Sequence, residues 1–154
     1  MLFRSLAITH QTGERDLDMV RDAYERAGLA ARVEAFIFEI DGAMKAADLV
    51  ICRAGATTLS ELTASGRPSI LVPLPTATDD HQRKNAEVLG RAGAALVMEE
   101  RDLSGTRLAE NIAGLVADPA RRRQMSSAAR QLARPDAAAR IADRVEQLGG
   151  CRAG

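Results

Sequence analysis

Five short apolar runs separated by longer amphipathic stretches constrain the fold of this chain more than any other feature. The runs lack the apolar–polar alternation of half-exposed strands, which indicates strands buried on both faces of a parallel sheet. The candidate strands are residues 6–10, 33–37, 48–52, 69–73 and 94–98. The candidate helices between them are residues 14–27, 41–47, 58–65 and 81–92. This alternation predicts an α/β fold, a Rossmann-like parallel sheet with helices on both faces.

The last third of the chain has a purely helical pattern. Apolar residues recur at helical spacing in "LSGTRLAENIAGLVADP", which stops before Pro119, and two more helical stretches follow, "ARRRQMSSAARQLA" and "DAAARIADRVEQL". Proline ends the first stretch because its ring cannot continue a helix. The tail "GGCRAG" is predicted to be frayed. These segments complete one domain.

Composition limits the class of protein. The chain has 154 residues, enough for one domain, and 46% of them are hydrophobic, as in a globular protein. Lys plus Arg and Asp plus Glu both number 21, so no basic excess points to nucleic acid. No apolar run has the ~20 residues of a membrane-spanning helix, and the start does not resemble a secretory signal. Cys52 and Cys151 are predicted to be free thiols of a cytoplasmic protein, and no zinc-site spacing is present.

Ligands of such folds bind beyond the carboxyl ends of the strands, so the loop "CRAGATTLSE" is a candidate site. Gly55 permits a tight turn, and Thr57 or Thr58 can cap the helix that follows. The free N–H groups of a helix start suit a diphosphate, and Glu61 can accept hydrogen bonds from a ribose diol. A capping box that pairs Thr58 with Glu61 is an alternative interpretation of the same residues.

A second candidate loop is "PLPTATDDHQRKNA". Asp79 or Asp80 can cap the next helix, in whose first turn His81 and Gln82 fall. Gln82 offers both a donor and an acceptor, and a neutral His81 does the same, as sugar hydroxyls require. The alternative is an exposed helix start whose polar residues bind nothing. Asn85, one turn later, is interpreted as structural.

A third loop lies in "AFIFEIDGAMKAADLVIC". The backbone of Ile37 can pair with the edge of a nucleobase, and Phe36 and Ile40 can supply apolar walls. Ordinary core packing explains the same apolar side chains. The chain contains neither a GxGxxG loop nor a P-loop, so the sequence does not favour a dinucleotide-binding or nucleotide-hydrolysing protein.

Three segments carry a family resemblance that extends from about residue 6 to residue 148. They are "HQTGERD", "AFIFEIDGAMKAADLVICRAGATTLSELTASGRPSILVPLPTATDDHQRKNA" and "GAALVMEERDLS". They resemble the C-terminal, donor-binding domain of the MurG family, two-domain GT-B glycosyltransferases of bacterial peptidoglycan synthesis. Members transfer N-acetylglucosamine from its UDP ester to an undecaprenyl-linked muramyl-pentapeptide. The resemblance implies an inverting transfer with no cofactor and no protein-bound metal.

The resemblance also implies roles for individual residues. Ile37 corresponds to the uracil contact, with Phe36 in the same pocket, and Glu61 to the residue on the ribose. His81 and Gln82 correspond to the pair near the hydroxyls of N-acetylglucosamine. The segment that lines the UDP comprises Ala56, Thr57 and Thr58.

The sequence departs from the family at its start. The segment "MLFRS" replaces the strand and the glycine-rich phosphate loop expected before "LAITHQTG", so the first strand of the sheet is predicted to be missing. The strands at 6–10 and 48–52 are then expected to leave a gap or to pair directly. We therefore expect a UDP-sugar donor-binding domain over residues 6–148, with unmatched or frayed ends at 1–5 and 149–154.

The family's acceptor site, general base and membrane-facing surface belong to an N-terminal domain that this sequence lacks. A donor-binding fragment inactive on its own is therefore the first expectation, with the full-length enzyme associated peripherally with the cytoplasmic face of the inner membrane. Two alternatives are a donor subunit completed by a second chain and a non-catalytic nucleotide-sugar-binding module. Co-purification with a membrane-associated partner favours the former, and binding without transfer favours the latter.

Overall fold

The structure is a computed structural model that describes residues 5–76 and 80–149. Its strands are β1 (Ile8–Gln11), β2 (Ala31–Glu34), β3 (Val50–Cys52), β4 (Ser69–Leu71) and β5 (Ala95–Val97). Its helices are α1 (Leu17–Arg26), α2 (Ile40–Ala46), α3 (Ala56–Ser65), α4 (His81–Arg91), α5 (Gly105–Ala117), α6 (Pro119–Leu132) and α7 (Ala137–Gly149). A short 3₁₀ turn, Glu100–Asp102, follows β5. The predicted alternation of strands and helices is confirmed, and no helix within the described ranges has the length and apolarity needed to cross a bilayer.

The described residues form two compact units, and the first comprises residues 5–47 and 104–119. Its sheet has two parallel strands, with Ile8 opposite Ala31 and Gln11 opposite Glu34. The pairing continues beyond the strands, because the N–H groups of Thr12 and Gly13 donate to the carbonyls of Glu34 and Ala35, each at 3.0 Å. The segment that follows β1 is therefore bound to the loop that follows β2.

The second unit comprises residues 48–103 and 120–149, apart from the undescribed 77–79. Its parallel sheet has the order β3-β4-β5. The central strand β4 is buried along its whole length, and Ser69, Ile70 and Leu71 are each 0% exposed. A run of three buried residues without alternation is the pattern expected of a central strand covered on both faces.

The predicted parallel strands are present with a gap between two sheets, one of the two outcomes expected without a first strand. The strands form two parallel sheets, and within the described residues β1 pairs with β2 while β3 pairs with β4. Direct pairing of the runs at 6–10 and 48–52, one of the two outcomes expected without a first strand, is therefore wrong. Each of these two runs pairs with the next strand along the chain, to which it is connected by one crossover helix.

The end of α3 explains one glycine. Gly66 follows the helix in the left-handed conformation, with φ 62°, where side chains other than hydrogen are disfavoured. A Cβ built at this position would lie 2.5 Å from Nε and 2.6 Å from Cγ of Arg130, so α6 also excludes a side chain here. Ser126 of α6 donates to the Gly66 carbonyl at 2.7 Å. Together these contacts hold α6 against the end of α3.

Candidate functional site

The side chain of Gln82 connects two loops at the carboxyl ends of β3 and β4. Its Oε1 accepts hydrogen bonds from the backbone N–H of Ala54 at 3.2 Å and from that of Leu74 at 3.0 Å. Two N–H donors meet at one atom, so that atom is the amide oxygen. The Nε2 amide of Gln82 makes no hydrogen bond with the residues that the structure describes. The Oε1 acceptor of Gln82 is therefore used within the protein, whereas its Nε2 donor is open to a ligand.

Asn85 also binds the backbone of Ala54. Its Nδ2 donates to the carbonyl of Ala54 at 3.3 Å, one turn along α4 from Gln82. Ala54 is 0% exposed, and its N–H and C=O both find side-chain partners on α4. We call Ala54, Gln82 and Asn85 the α4 clamp. The clamp fixes the turn that leads into α3, and it gives Asn85 the structural role predicted for it.

The start of α3 differs from the predicted capping box. Gly55 occupies the N-cap position in an extended conformation, and the helix begins at Ala56. Thr58 is therefore inside the first turn, so its proposed capping box with Glu61 is wrong. The first helical hydrogen bond runs from the Leu59 N–H to the Gly55 carbonyl at 3.0 Å. The N–H groups of residues 56–58 precede the ladder and are available to a ligand.

Glu61 is half-buried on α3, where its carboxylate affects a thiol on the neighbouring strand. Burial, and then the negative charge of Glu61, raise the pKa of the Cys52 thiol from its ordinary 9.0 to about 11. The Glu61 carboxylate therefore acts electrostatically on the last residue of β3. A carboxylate at that edge is placed to accept hydrogen bonds from a bound diol.

Cys52 is therefore expected to resist alkylation in the folded chain. At pH 8 iodoacetamide should modify it far more slowly than the same thiol in urea, because only the thiolate reacts. Between pH 9 and 11 the unfolded thiol loses its proton while the folded thiol keeps it, so this group lowers the stability as the pH rises through that window. The measurement is mass-spectrometric labelling in a Cys151→Ser background. Equal rates in buffer and urea would contradict the assignment, and Glu61→Gln should accelerate labelling.

The start of α4 presents a different arrangement from the predicted cap. Asp80 occupies the N-cap position with φ 59°, but its side chain makes no capping bond and instead pairs with Arg83. Asp79, the other candidate cap, lies outside the described residues. His81 is the first residue of α4 and is exposed, and Gln82 follows it. The backbone thus places both predicted sugar-binding residues in the first turn.

Arg53 is a residue at this edge that the sequence analysis missed. Its Nη1 donates to the carbonyl of Val72 at 3.3 Å and also pairs with the carboxylate of Glu100. Arg53 follows β3, Val72 follows β4 and Glu100 follows β5, so one guanidinium joins the carboxyl ends of the three strands. An arginine directly after an apolar strand was the available signal in the sequence.

In the first unit, the loop after β2 carries the predicted base-binding residues. Ile37 is 9% exposed, Ile40 is half-buried at the start of α2, and Phe36 is 58% exposed. Phe36 contacts Phe38 edge-to-face, with ring centroids 5.1 Å apart. Core packing, the alternative interpretation, therefore fails for Phe36 but applies to the side chain of Ile37.

The backbone of Ile37 is only half available for pairing with a base. Its N–H donates to Oε1 of Gln11 at 2.8 Å, whereas its carbonyl accepts no hydrogen bond from the described residues. Gln11, like Phe38, was not singled out in the sequence analysis. No local sequence signal predicts the hydrogen bond between Gln11 and Ile37, because the two residues are 26 positions apart.

The structure therefore brings the predicted site residues together in two groups. Ala56, Thr57, Thr58, Glu61, His81 and Gln82 belong to the second unit, where the α4 clamp joins the two loops that carry them. Phe36, Ile37 and Ile40 belong to the first unit. Within the described residues no cluster of His, Cys, Asp and Glu could hold a metal ion.

Comparison with known proteins identifies relatives of the chain. A protein of Geobacter metallireducens is 55% identical over 140 residues, 91% of this chain and 38% of that protein. It is named UDP-N-acetylglucosamine–N-acetylmuramyl-(pentapeptide) pyrophosphoryl-undecaprenol N-acetylglucosamine transferase. A protein of the same name from an Anaeromyxobacter species is 49% identical over 96% of this chain and 39% of its own length. The chain thus spans less than half the length of these curated relatives.

Solved structures agree with the sequence relatives. The crystal structure of Acinetobacter baumannii MurG superposes with a TM-score of 0.86 at 33% identity, over 92% of this chain and 43% of that chain. The glycosyltransferase VinC superposes with a TM-score of 0.64 at 21% identity over 84% of this chain and 30% of its own, which supports the fold alone. The resemblance to the C-terminal domain of MurG is confirmed. Residues 2–141 match the model of the glycosyltransferase family 28 C-terminal domain, and the chain belongs to that family.

Proposed function

We propose that this chain is the donor-binding half of an inverting N-acetylglucosaminyltransferase. The reaction moves N-acetylglucosamine from UDP-N-acetylglucosamine to an undecaprenyl-pyrophosphoryl-muramyl-pentapeptide. One observation carries the proposal: the α4 clamp fixes the turn before α3, where three helix-start N–H groups remain available. The names of relatives about 50% identical to this chain supply the substrates.

The diphosphate is proposed to bind at the start of α3. Gly55 brings the backbone into the turn without a side chain, and residues 56–58 offer their N–H groups and the positive end of the helix dipole. Charge develops on the diphosphate as the glycosidic bond breaks. Fixed N–H donors stabilise such charge without reorganising, which lowers the barrier to departure of UDP.

The remaining contacts with the donor are assigned residue by residue. Glu61 accepts hydrogen bonds from the ribose diol, and the free donor of Gln82 and the exposed His81 bind hydroxyls of the sugar. In the first unit Ile37 contacts the uracil, and Phe36 and Ile40 supply apolar surface. The general base, the acceptor site and the association with the cytoplasmic face of the inner membrane are assigned to the part of the relatives that this chain does not cover.

Calorimetric titration of the 154-residue chain tests the proposal. UDP and UDP-N-acetylglucosamine are expected to bind with one-to-one stoichiometry and to compete, whereas ADP is expected not to displace them. Addition of a lipid-linked acceptor should produce no transfer until the N-terminal half of a relative is supplied. Failure of UDP to bind would contradict donor binding, and turnover by the chain alone would contradict the assignment as half of an enzyme.

A further inference from the structure

The orientation of the Gln82 side chain depends on the distance between two backbone N–H groups. They belong to Ala54, in the turn after β3, and to Leu74, in the loop after β4, and both donate to Gln82 Oε1. Because Nε2 and Oε1 belong to one planar amide, the two N–H groups also fix the direction of the open Nε2 donor. A contact that sets the spacing of the two loops therefore also orients that donor.

Arg53 makes such a contact. It directly precedes the first of the two N–H donors, and its Nη1 donates to the carbonyl of Val72 at 3.3 Å and to that of Pro73 at 3.5 Å. Val72 and Pro73 directly precede Leu74, so one side chain connects the residues that come before both donors. The Val72 N–H donates in turn to the Cys52 carbonyl at 2.9 Å. The backbone thus holds the start of the loop after β4 against β3, and Arg53 holds its continuation.

Glu100 directs the guanidinium of Arg53 from the third strand. The same Nη1 pairs with the Glu100 carboxylate, which belongs to the 3₁₀ turn after β5. The Arg53 side chain is 48% exposed and that of Glu100 is 40% exposed, so water screens the pair and it contributes little to stability. The two carbonyl contacts are long for hydrogen bonds, and the positive charge of the donor strengthens them. The pair therefore serves to hold the guanidinium on the loop after β4.

Resting on the proposed function, we infer that Arg53, directed by Glu100, is a positioning residue for the sugar of the donor. It sets the distance between the turn before α3 and the loop after β4, and it acts on the sugar through Gln82 rather than by contact. All three residues belong to the second unit. Without the guanidinium the two N–H donors are free to separate, and the Gln82 amide turns away from the hydroxyl that it binds.

Calorimetric titration with UDP and with UDP-N-acetylglucosamine measures this role, because only the second ligand contains the sugar. Arg53→Met replaces the guanidinium by an uncharged thioether. The affinity for UDP-N-acetylglucosamine relative to UDP should then fall by about three- to tenfold, the effect of one lost hydrogen bond. The affinity for UDP itself should change by less than about twofold. Arg26→Met makes the same change at an exposed position in the last turn of α1 and should leave both affinities unchanged.

A second background tests whether Arg53 acts through Gln82. In Gln82→Glu the amide donor is already absent, so adding Arg53→Met should lower the relative affinity no further. Glu100→Gln removes the charge that directs the guanidinium and should cause part of the Arg53→Met loss in the wild-type background. Circular dichroism establishes that each variant is folded, and Glu100→Gln decides the outcome if Arg53→Met does not fold.

Three results would overturn the inference while the proposed function stands. The first is an unchanged relative affinity in Arg53→Met, or in Glu100→Gln where that variant decides. The second is an equal weakening of UDP and UDP-N-acetylglucosamine, which would place the effect on the nucleotide or on the whole fold. The third is a further loss in the Gln82→Glu background, which would make Arg53 independent of Gln82.

A wild-type chain that binds neither ligand would instead overturn the proposed function and the inference with it. A loss that is confined to the sugar-containing ligand, and that disappears in the Gln82→Glu background, supports both.

Discussion

Replacing Gln82 by alanine is expected to lower the free energy of unfolding by about 2–4 kcal/mol, because two backbone N–H groups lose the acceptor that they share. These are the N–H groups of Ala54 and Leu74, which share the Gln82 Oε1. Ala54 is fully buried, so water cannot replace the lost partner at low cost. Urea denaturation followed by circular dichroism measures the change.

The matched variant Gln82→Glu separates the structural role of Gln82 from its role toward the sugar. The carboxylate keeps an acceptor for both N–H groups, so its stability is expected to stay within about 1 kcal/mol of the wild type. It lacks the amide donor and should bind UDP-N-acetylglucosamine less tightly. If Gln82→Ala is as stable as the wild type, the clamp contributes nothing to folding, and its role in fixing the turn before α3 is refuted.

Replacing Glu61 by alanine is expected to raise the dissociation constant for UDP-N-acetylglucosamine by about 10- to 150-fold, because charge-assisted hydrogen bonds to the ribose diol are lost. Glu61 is half-buried, and its negative charge acts on Cys52 at the end of β3. In that setting a hydrogen bond to a charged acceptor is stronger than it is in water. The fold should be little affected.

Calorimetric titration with UDP-N-acetylglucosamine measures this effect. Glu61→Gln keeps one acceptor oxygen without the charge and should fall between the wild type and Glu61→Ala. Glu146→Ala removes an exposed carboxylate of α7 and serves as the matched control, with no change expected. An unchanged dissociation constant in Glu61→Ala would remove Glu61 from the ribose site. Glu61→Ala should weaken the binding of UDP more than that of its 2′-deoxy analogue, which lacks one hydroxyl of the diol. An equal loss of affinity for the two nucleotides would also remove Glu61 from the ribose site.

The elements of the fold were predictable because their signals are local. A buried strand such as β4 appears in the sequence as an unbroken apolar run, and a helix such as α5 as periodic apolar residues. The number of sheets was not predictable in this way. Strand pairing depends on which strands lie side by side, and the pattern of a single apolar run does not contain that information.

The helix starts show where local rules fail. Thr58 and Glu61 have the spacing of a capping box, yet α3 begins two residues before Thr58. The difference arises from Ala54, whose N–H and C=O are held by α4. Gln82 and Asn85 lie 28 and 31 residues away in sequence, so no window centred on the turn contains them. Tertiary contacts overrode a local preference here.

The position of the candidate residues in the fold was predictable, and the use of their polar groups only in part. The candidate residues lie after the carboxyl ends of strands, and α4 places His81 and Gln82 in its first turn. The prediction gave Gln82 both a donor and an acceptor for the sugar, whereas the acceptor is used within the protein. Ile37 likewise keeps its carbonyl but not its N–H. Polar groups that a sequence offers to ligands also serve the protein's own buried backbone.

The shared oxygen of Gln82 also has a dynamic consequence. Because a single atom protects the amide protons of Ala54 and Leu74, the loops after β3 and β4 cannot loosen independently without exposing one of them. Rotation of the Gln82 side chain breaks both hydrogen bonds at once. Opening of the turn before α3 is therefore expected to be coupled to opening of the loop after β4, and a ligand that restrains either loop is expected to restrain both.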